Sequence, residues 1–234
     1  APTIAGAAGR QLVIDTQYDQ LTADPARDAS ISGRYGLGSV YDTLTSFKAK
    51  QVNGKLSVSL SKPVPWLARS WKWSNGNKTL TLNLTHAAKW SDGQKLTSAD
   101  VVYSITAGRQ DKLMDRIGLT GPGNEIVSVR ARGPYKVVIK LKAPDSQFIA
   151  ATMNRVFIVP KHVWSKVNKV ATFNNTRPVG SGPFNVISRF TSQDYVLNKN
   201  PNYWQKGLPK VPCLEYVQAT SNDSALALIQ SGQV

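Results

Sequence analysis

The feature that most restricts how this chain can fold is a strict two-residue alternation. From Thr79 to Thr85 the run Thr-Leu-Thr-Leu-Asn-Leu-Thr puts every second side chain on one apolar face, the pattern of a strand buried on one side and wet on the other. It follows Trp71-Lys-Trp73 and Ser74-Asn-Gly-Asn77, whose Asn and Gly residues accept the positive φ angles of a tight turn, so residues 71–85 read as an antiparallel hairpin. Ile126–Lys142, turning at Arg132-Gly-Pro-Tyr135, repeats the signal, and Phe184–Asn200 reads as two more strands around Ser192-Gln-Asp194. Gln11–Thr16 reads as a first strand. Helices are expected at Val40–Phe47, after Thr97-Ser-Ala-Asp100 (a capping-box start with Asp100 in the first turn), from Pro160 to Trp164, and at Asn222–Gln230. Locally paired strands with short helices between them predict a mixed α/β or α+β fold.

Among the 234 residues, 41% are hydrophobic and 9% aromatic, enough to bury a core and to exclude wholesale disorder. No window approaches the roughly 18 uninterrupted apolar residues of a membrane span. Cys213 is the only cysteine, which excludes a disulfide framework and any zinc site built from several thiolates. The small, apolar Ala1–Gly9 lacks the charged-then-apolar pattern of a signal peptide and is compatible with what remains after one is removed. The helix expected at Asn222–Gln230 lies so near the last residue that a truncation is expected.

The 29 Lys and Arg against 14 Asp and Glu give a net charge of +15. The excess is spread along the chain, without an arginine-rich run, a zinc finger or a basic region with heptads, so a nucleic-acid or polyanion module is kept only as the alternative from another class. Lysines alternate with apolar residues in Lys136–Lys142, as on the solvent face of a strand. A solvated basic surface is expected, and it also suits work beside an anionic cell envelope.

Catalytic groups are scarce. His86 and His162 are far apart, and Glu125 and Glu215 are the only glutamates. His162, between Pro160 and Trp164, reads as a packed or capping histidine, and Cys213 as a small apolar side chain with no base near it. Gly180-Ser-Gly182 runs into Pro183 and a strand, so it is no nucleophile elbow; it reads as a loop that lets something approach the backbone closely. Trp66, Trp71, Trp73, Trp90, Trp164 and Trp204 read as core or staple residues, with a stacking platform as the alternative. Sequons at Asn77, Asn83, Asn174 and Asn222 are not taken as glycosylation sites. No enzyme is expected.

The series Trp71–Leu84 and Lys89-Trp-Ser-Asp-Gly-Gln-Lys-Leu-Thr-Ser-Ala-Asp-Val-Val-Tyr-Ser104, with Asp24-Pro25, Val40-Tyr-Asp-Thr-Leu44, Val159–Trp164, Pro178–Phe184, Asn200-Pro-Asn-Tyr-Trp204 and Ala225–Val234 in order, resembles the family 5 extracellular solute-binding proteins, the peptide, nickel and oligosaccharide receptors of ABC importers. The resemblance spans residues 11–234. It implies a periplasmic-binding-protein-like (type II) fold in which residues 1–47 and 176–234 form parts of the first lobe and residues 48–175 an inserted α+β subdomain, with the second lobe missing. It further implies a non-enzymatic, extracytoplasmic, monomeric receptor without metal or cofactor, which captures a solute between lobes and delivers it to a membrane permease. The ligand-facing residues implied are Asp28, Ala29, Ser30, Ile31 and Tyr35, together with Gly180, Ser181 and Gly182, whose N–H groups would be left bare for a ligand or the hinge. An oligopeptide is the ligand expected, an oligosaccharide of cello or manno type is the alternative, and a metal chelate stays open.

Overall fold

The computed structural model describes residues 12–16, 37–53, 55–115, 118–119, 126–191 and 194–232. The predicted hairpin is present as β4 (Ala68–Ser74) and β5 (Thr79–Leu84). Its turn is made by Asn75, Gly76 and Asn77 at φ 52°, 57° and 61°, the left-handed region that Asn and Gly tolerate best. The second hairpin is β6 (Ile126–Ala131) and β7 (Lys136–Leu141). β7 pairs with β5, so the two hairpins join edge to edge in the order β4-β5-β7-β6. Leu80, Leu82 and Leu84 are fully buried on the inner face, as the alternation requires.

Helix α1 (Ser98–Thr106) closes that inner face. Its Thr97 N-cap donates from its backbone N–H to the Asp100 carboxylate at 2.8 Å, the reciprocal half of a capping box. The other oxygen of Asp100 accepts the Lys161 N–H at 2.9 Å and so ties α1 to α3 (Lys161–Trp164); a short α2 covers Phe148–Ala151. A second four-stranded sheet has the order β1-β10-β9-β8, with β1 (Leu12–Thr16), β8 (Phe184–Phe190), β9 (Asp194–Lys199) and β10 (Cys213–Gln218). Here β1 runs parallel to β10 across almost the whole chain, while β10-β9-β8 is an antiparallel meander. Helix α4 (Asn222–Gln230) follows β10.

One sequence expectation fails. Of the helix expected at Val40–Phe47, only Val40 is helical, as the last residue of a turn at 37–40; Thr45–Val52 is β2, paired antiparallel with β3 (Lys55–Pro65) in a separate two-stranded ribbon. The apolar spacing of Val40, Tyr41 and Leu44 does serve burial, since all three are buried. Strand pairing with the period-two run Leu56-Ser-Val-Ser-Leu60 takes over from Thr45 onward, and tertiary pairing overrides the weak helical signal.

Hydrophobic packing forms two clusters. One holds Leu44, the β4-β5-β7-β6 interior, Trp90 and the segment to Ile158; the other holds Leu37, Val40 and Tyr41 with Val159, Trp164, Phe184, Tyr195, Leu214 and Tyr216. The clusters meet where Gly180-Ser-Gly182 lies against residues 39–42. A Cβ at Gly182 would sit 2.4 Å from the Ser39 carbonyl oxygen, and one at Gly180 would sit 2.1 Å from that of Val40. Those obstacles are backbone and cannot swing aside. Gly182→Ala is therefore expected to destabilise the chain by about 2–4 kcal/mol in urea unfolding; a loss below about 0.5 kcal/mol would show that the junction yields freely.

Candidate functional site

The junction between the clusters centres on Asp42, a carboxylate that is 4% exposed. Its two oxygens accept indole N–H groups, from Trp66 at 2.7 Å and from Trp204 at 3.0 Å. The indoles meet edge to face, with ring centroids 5.8 Å apart. The Asp42 N–H donates to Ser181 Oγ at 3.3 Å, and its carbonyl accepts the Ile158 N–H at 2.9 Å. Desolvation raises the Asp42 pKa to about 6, opposed by the hydrogen bonds from Trp66, Trp204 and Ser181. Burial, with Asp42 nearby, also pushes the Tyr203 hydroxyl up.

A ring of motif loops surrounds this carboxylate. Ser91 of the Trp90-Ser-Asp-Gly93 turn donates its N–H to the Gly180 carbonyl at 2.9 Å, and Gly180 N–H reaches back to Ser91 Oγ at 3.3 Å. Asn200 is fully buried and donates to the Gly182 carbonyl at 2.9 Å, while Asn202 donates to the Ser91 carbonyl at 2.8 Å. In the turn itself Asp92 accepts the Gln94 N–H at 3.1 Å and Gly93 stands at φ 89°, as its sequence implies. The second Asp92 oxygen lies 2.7 Å from His162 Nε2, which makes His162 a tie between this turn and α3.

A groove lies elsewhere, at the carboxyl edge of the β1-β10-β9-β8 sheet. Thr16 pairs with Gln218, so the parallel strands β1 and β10 end together; in α/β sheets that edge is where ligands settle. Between the end of β10 and α4 runs an open groove of about 640 Å³, lined by Asp194, Val217, Gln218, Thr220 and the α4 side chains Ser224, Ala227, Leu228 and Ser231. Ser224 is held in a reciprocal cap with Ser221, at 2.9 and 3.1 Å. Asp194 is compensated, 2.7 Å from Arg189 and 2.8 Å from Thr191 Oγ1, and Arg189 also bonds Glu215. The groove is therefore mixed in character, with Val217, Ala227 and Leu228 beside its polar side chains, and without a strong net charge. Among the described residues, no three His, Cys, Asp or Glu gather closely enough to hold a metal ion.

Of the ligand-facing residues expected from sequence, Asp28, Ala29, Ser30, Ile31 and Tyr35 lie outside the described residues. Gly180, Ser181 and Gly182 are brought together with Asp42 and Ser91. Their setting departs from the expectation of bare N–H groups: Gly180 N–H bonds Ser91 Oγ, Gly182 N–H bonds the Val40 carbonyl at 2.9 Å, and Ser181 is fully buried. What approaches this backbone closely is residues 39–42 of the same chain. Asp42 carried no role in the sequence reading, although it lies in Val40-Tyr-Asp-Thr-Leu44. Gln218 and Thr220 of the groove do not stand out in the sequence, because one polar pair after a strand has no distinguishing pattern.

Comparison with known proteins agrees with this architecture. The profile of the bacterial extracellular solute-binding proteins, family 5 Middle, matches residues 62–234. The oligopeptide-binding protein AppA of Bacillus subtilis is 31% identical over 202 residues, which cover 83% of this chain and 35% of AppA. The glutathione-binding protein GsiB of Salmonella choleraesuis is 28% identical over 170 residues, 71% of this chain and 32% of GsiB. Among solved structures, the binding protein MoaA of A. tumefaciens R10 in complex with mannopinic acid superposes with a TM-score of 0.80 at 27% identity, covering 97% of this chain and 44% of MoaA. AppA in complex with a nonapeptide superposes at 0.76 and 24% identity, over 97% of this chain and 43% of AppA, a likeness of fold. A mixed α/β chain with two four-stranded sheets and a two-stranded ribbon in this topology has the architecture of the periplasmic binding proteins. It belongs to the bacterial extracellular solute-binding proteins of family 5. The chain spans about a third of the length of the curated relatives it matches.

The Asp42 geometry sets a pH dependence. With its folded pKa near 6 against an ordinary 3.8, the native state holds this proton more tightly than the unfolded chain. The stability this group contributes is present below about pH 4 and is lost as pH rises through 6, about 3 kcal/mol at about 1.4 kcal/mol per unit. Asp42→Asn removes that slope but sets an amide N–H₂ against one indole donor, which costs about 1–3 kcal/mol. Urea midpoints from pH 4 to 7 are expected to fall more steeply for the parent than for Asp42→Asn; parallel curves would place the Asp42 pKa near its ordinary value.

Proposed function

We propose that this chain is part of a non-enzymatic, extracytoplasmic receptor of an ABC importer, and that it supplies one wall of an interlobe cleft that captures an oligopeptide for delivery to a membrane permease. In this reading the β1-β10-β9-β8 sheet belongs to the first lobe (residues 1–47 and 176–234), and residues 48–175 form a subdomain inserted into it. The second wall is a further lobe, and the receptor works as a monomer. The observation that carries the reading is the groove of mixed polar and apolar lining at the shared carboxyl ends of β1 and β10, the edge where α/β sheets hold ligands. The segment that leaves β1 at this edge contains Asp28, Ala29, Ser30, Ile31 and Tyr35, which we propose face the solute. Gly180, Ser181 and Gly182 act from behind as the packed junction that positions the wall. The peptide preference draws on AppA, named for oligopeptides, and GsiB, named for glutathione. No described helix is long and apolar enough to cross a membrane.

A groove with one wall covers only part of a solute, so weak binding is expected. In thermal-shift titrations with defined oligopeptides, cello- and manno-oligosaccharides, mannopinic acid and nickel–histidine, oligopeptides are expected to raise the midpoint by about 2 °C or more. The rise should disappear in a Gln218→Ala, Thr220→Ala double variant. A rise with sugars alone would replace the peptide by a sugar, and no rise with any solute would overturn the receptor reading for this chain.

A further inference from the structure

The positive charge that is spread along the sequence is gathered by the fold. Between Asp42 and Asp92 there is no acidic residue, while Lys48, Lys50, Lys55, Lys62, Arg69, Lys72, Lys78 and Lys89 fall in that interval. From Ile126 to Lys142 there is again none, against Arg130, Arg132, Lys136, Lys140 and Lys142. These two acid-free stretches contain all four strands of the β4-β5-β7-β6 sheet.

Register then decides which face the charges share. Lys72 pairs with Thr81, Thr81 with Val138 and Val138 with Arg130, one row across all four strands. The flanking rows are Ser70, Asn83 and Lys136 on one side and Ser74, Thr79, Lys140 and Ser128 on the other. This face turns away from the buried leucines, and Lys72, Arg130, Lys136 and Lys140 are all exposed. Ser70 and Asn83 bond side chain to side chain across it at 3.1 Å. No described carboxylate forms an ion pair with any of the four cations. At ordinary strand spacings they span about 14 Å by about 13 Å; Arg130 stands about 8 Å from Lys136 and Lys140, one screening length at physiological salt, and Lys72 about 12 Å from the same two.

An exposed antiparallel face is ordinarily a mixture of both signs. The paired rows of this one carry four cations, hydroxyl and amide side chains and Val138, with Val127 exposed at the β6 bulge, and no described carboxylate. It has no aromatic ring on which a base could stack, and it is the face of a four-stranded sheet where groove reading uses a helix or a two-stranded ribbon. Its apolar side chains are valines alone, Val138 and Val127, too short to insert deeply into hydrocarbon. What fits is a broad, flat anionic layer met through headgroup phosphates. We propose that the outer face of the β4-β5-β7-β6 sheet is an electrostatic docking surface for an anionic phospholipid bilayer, holding the protein at the membrane by Lys72, Arg130, Lys136 and Lys140. The proposal goes beyond the receptor reading and does not depend on which solute is bound.

The test is co-sedimentation of the chain with vesicles of mixed phosphatidylglycerol and phosphatidylcholine, against phosphatidylcholine alone, at about 0.1 M salt. A variant with Lys72, Arg130, Lys136 and Lys140 all changed to Gln is compared with a charge-matched control in which the exposed Lys161, Lys166, Lys169 and Lys206 are changed to Gln. Thermal melting confirms that both are folded. The face variant is expected to lose at least about 30-fold in partitioning, and the control less than about threefold. A Lys72→Arg, Lys136→Arg, Lys140→Arg variant should bind as the parent does. Equal losses in the two Gln variants would mean that net charge alone attracts the protein and would overturn the proposal. So would binding that ignores the phosphatidylglycerol, or equally tight capture of duplex DNA at the same salt.

Discussion

The Asp42 carboxylate, buried where the two hydrophobic clusters meet, is the centre on which the architecture depends. Among the described residues Asp42 has no ion-pair partner; it is stabilised by two indole N–H groups, while its own backbone bonds Ser181 and Ile158. Hydrogen bonds to a charged group are each worth about 1.5–3 kcal/mol, yet the pKa still stands near 6, so desolvation outweighs them. The arrangement gives direction in exchange for that cost. Two oxygens aimed at two indoles fix the Pro65–Leu67 corner and the Asn200–Trp204 loop relative to each other and to the Gly180–Gly182 turn. An apolar side chain at position 42 would fill the space without selecting one arrangement of those three segments.

Around that centre, motifs far apart in sequence act as one joint. Ser91, Gly180, Gly182, Asn200 and Asn202 exchange backbone and side-chain hydrogen bonds, and the glycines are needed because backbone lies where a Cβ would be. This explains why the motifs of the family resemblance mark the scaffold so clearly and the ligand so poorly. They hold the two hydrophobic clusters in register, and the groove opens at another edge of the molecule, where Thr16 and Gln218 end side by side.

Much of the local structure was legible because it is set by short-range rules. Alternation gave β5, Asn-Gly-Asn gave its turn, and the Thr97–Asp100 box gave the start of α1. The β2–β3 ribbon was misread at its first strand, because Val40, Tyr41 and Leu44 have helical spacing and nothing local announces that Thr45 will pair with Pro65. The site was legible only in outline. His162 was expected to pack or cap and instead ties the Asp92 turn to α3, a contact across 70 residues that no local pattern encodes.

The sequence by itself determined the hairpins, the caps, the absence of a cysteine framework and the family, because each depends on residue type at a short spacing or on several such spacings in order. Tertiary structure alone decided that Asp42 would be buried between two tryptophans, that Gly180–Gly182 would face backbone, and that Lys72, Thr81, Val138 and Arg130 would form one row. Those outcomes depend on strand register and on contacts between distant segments. A shift of one residue in register would send every one of those side chains to the other face.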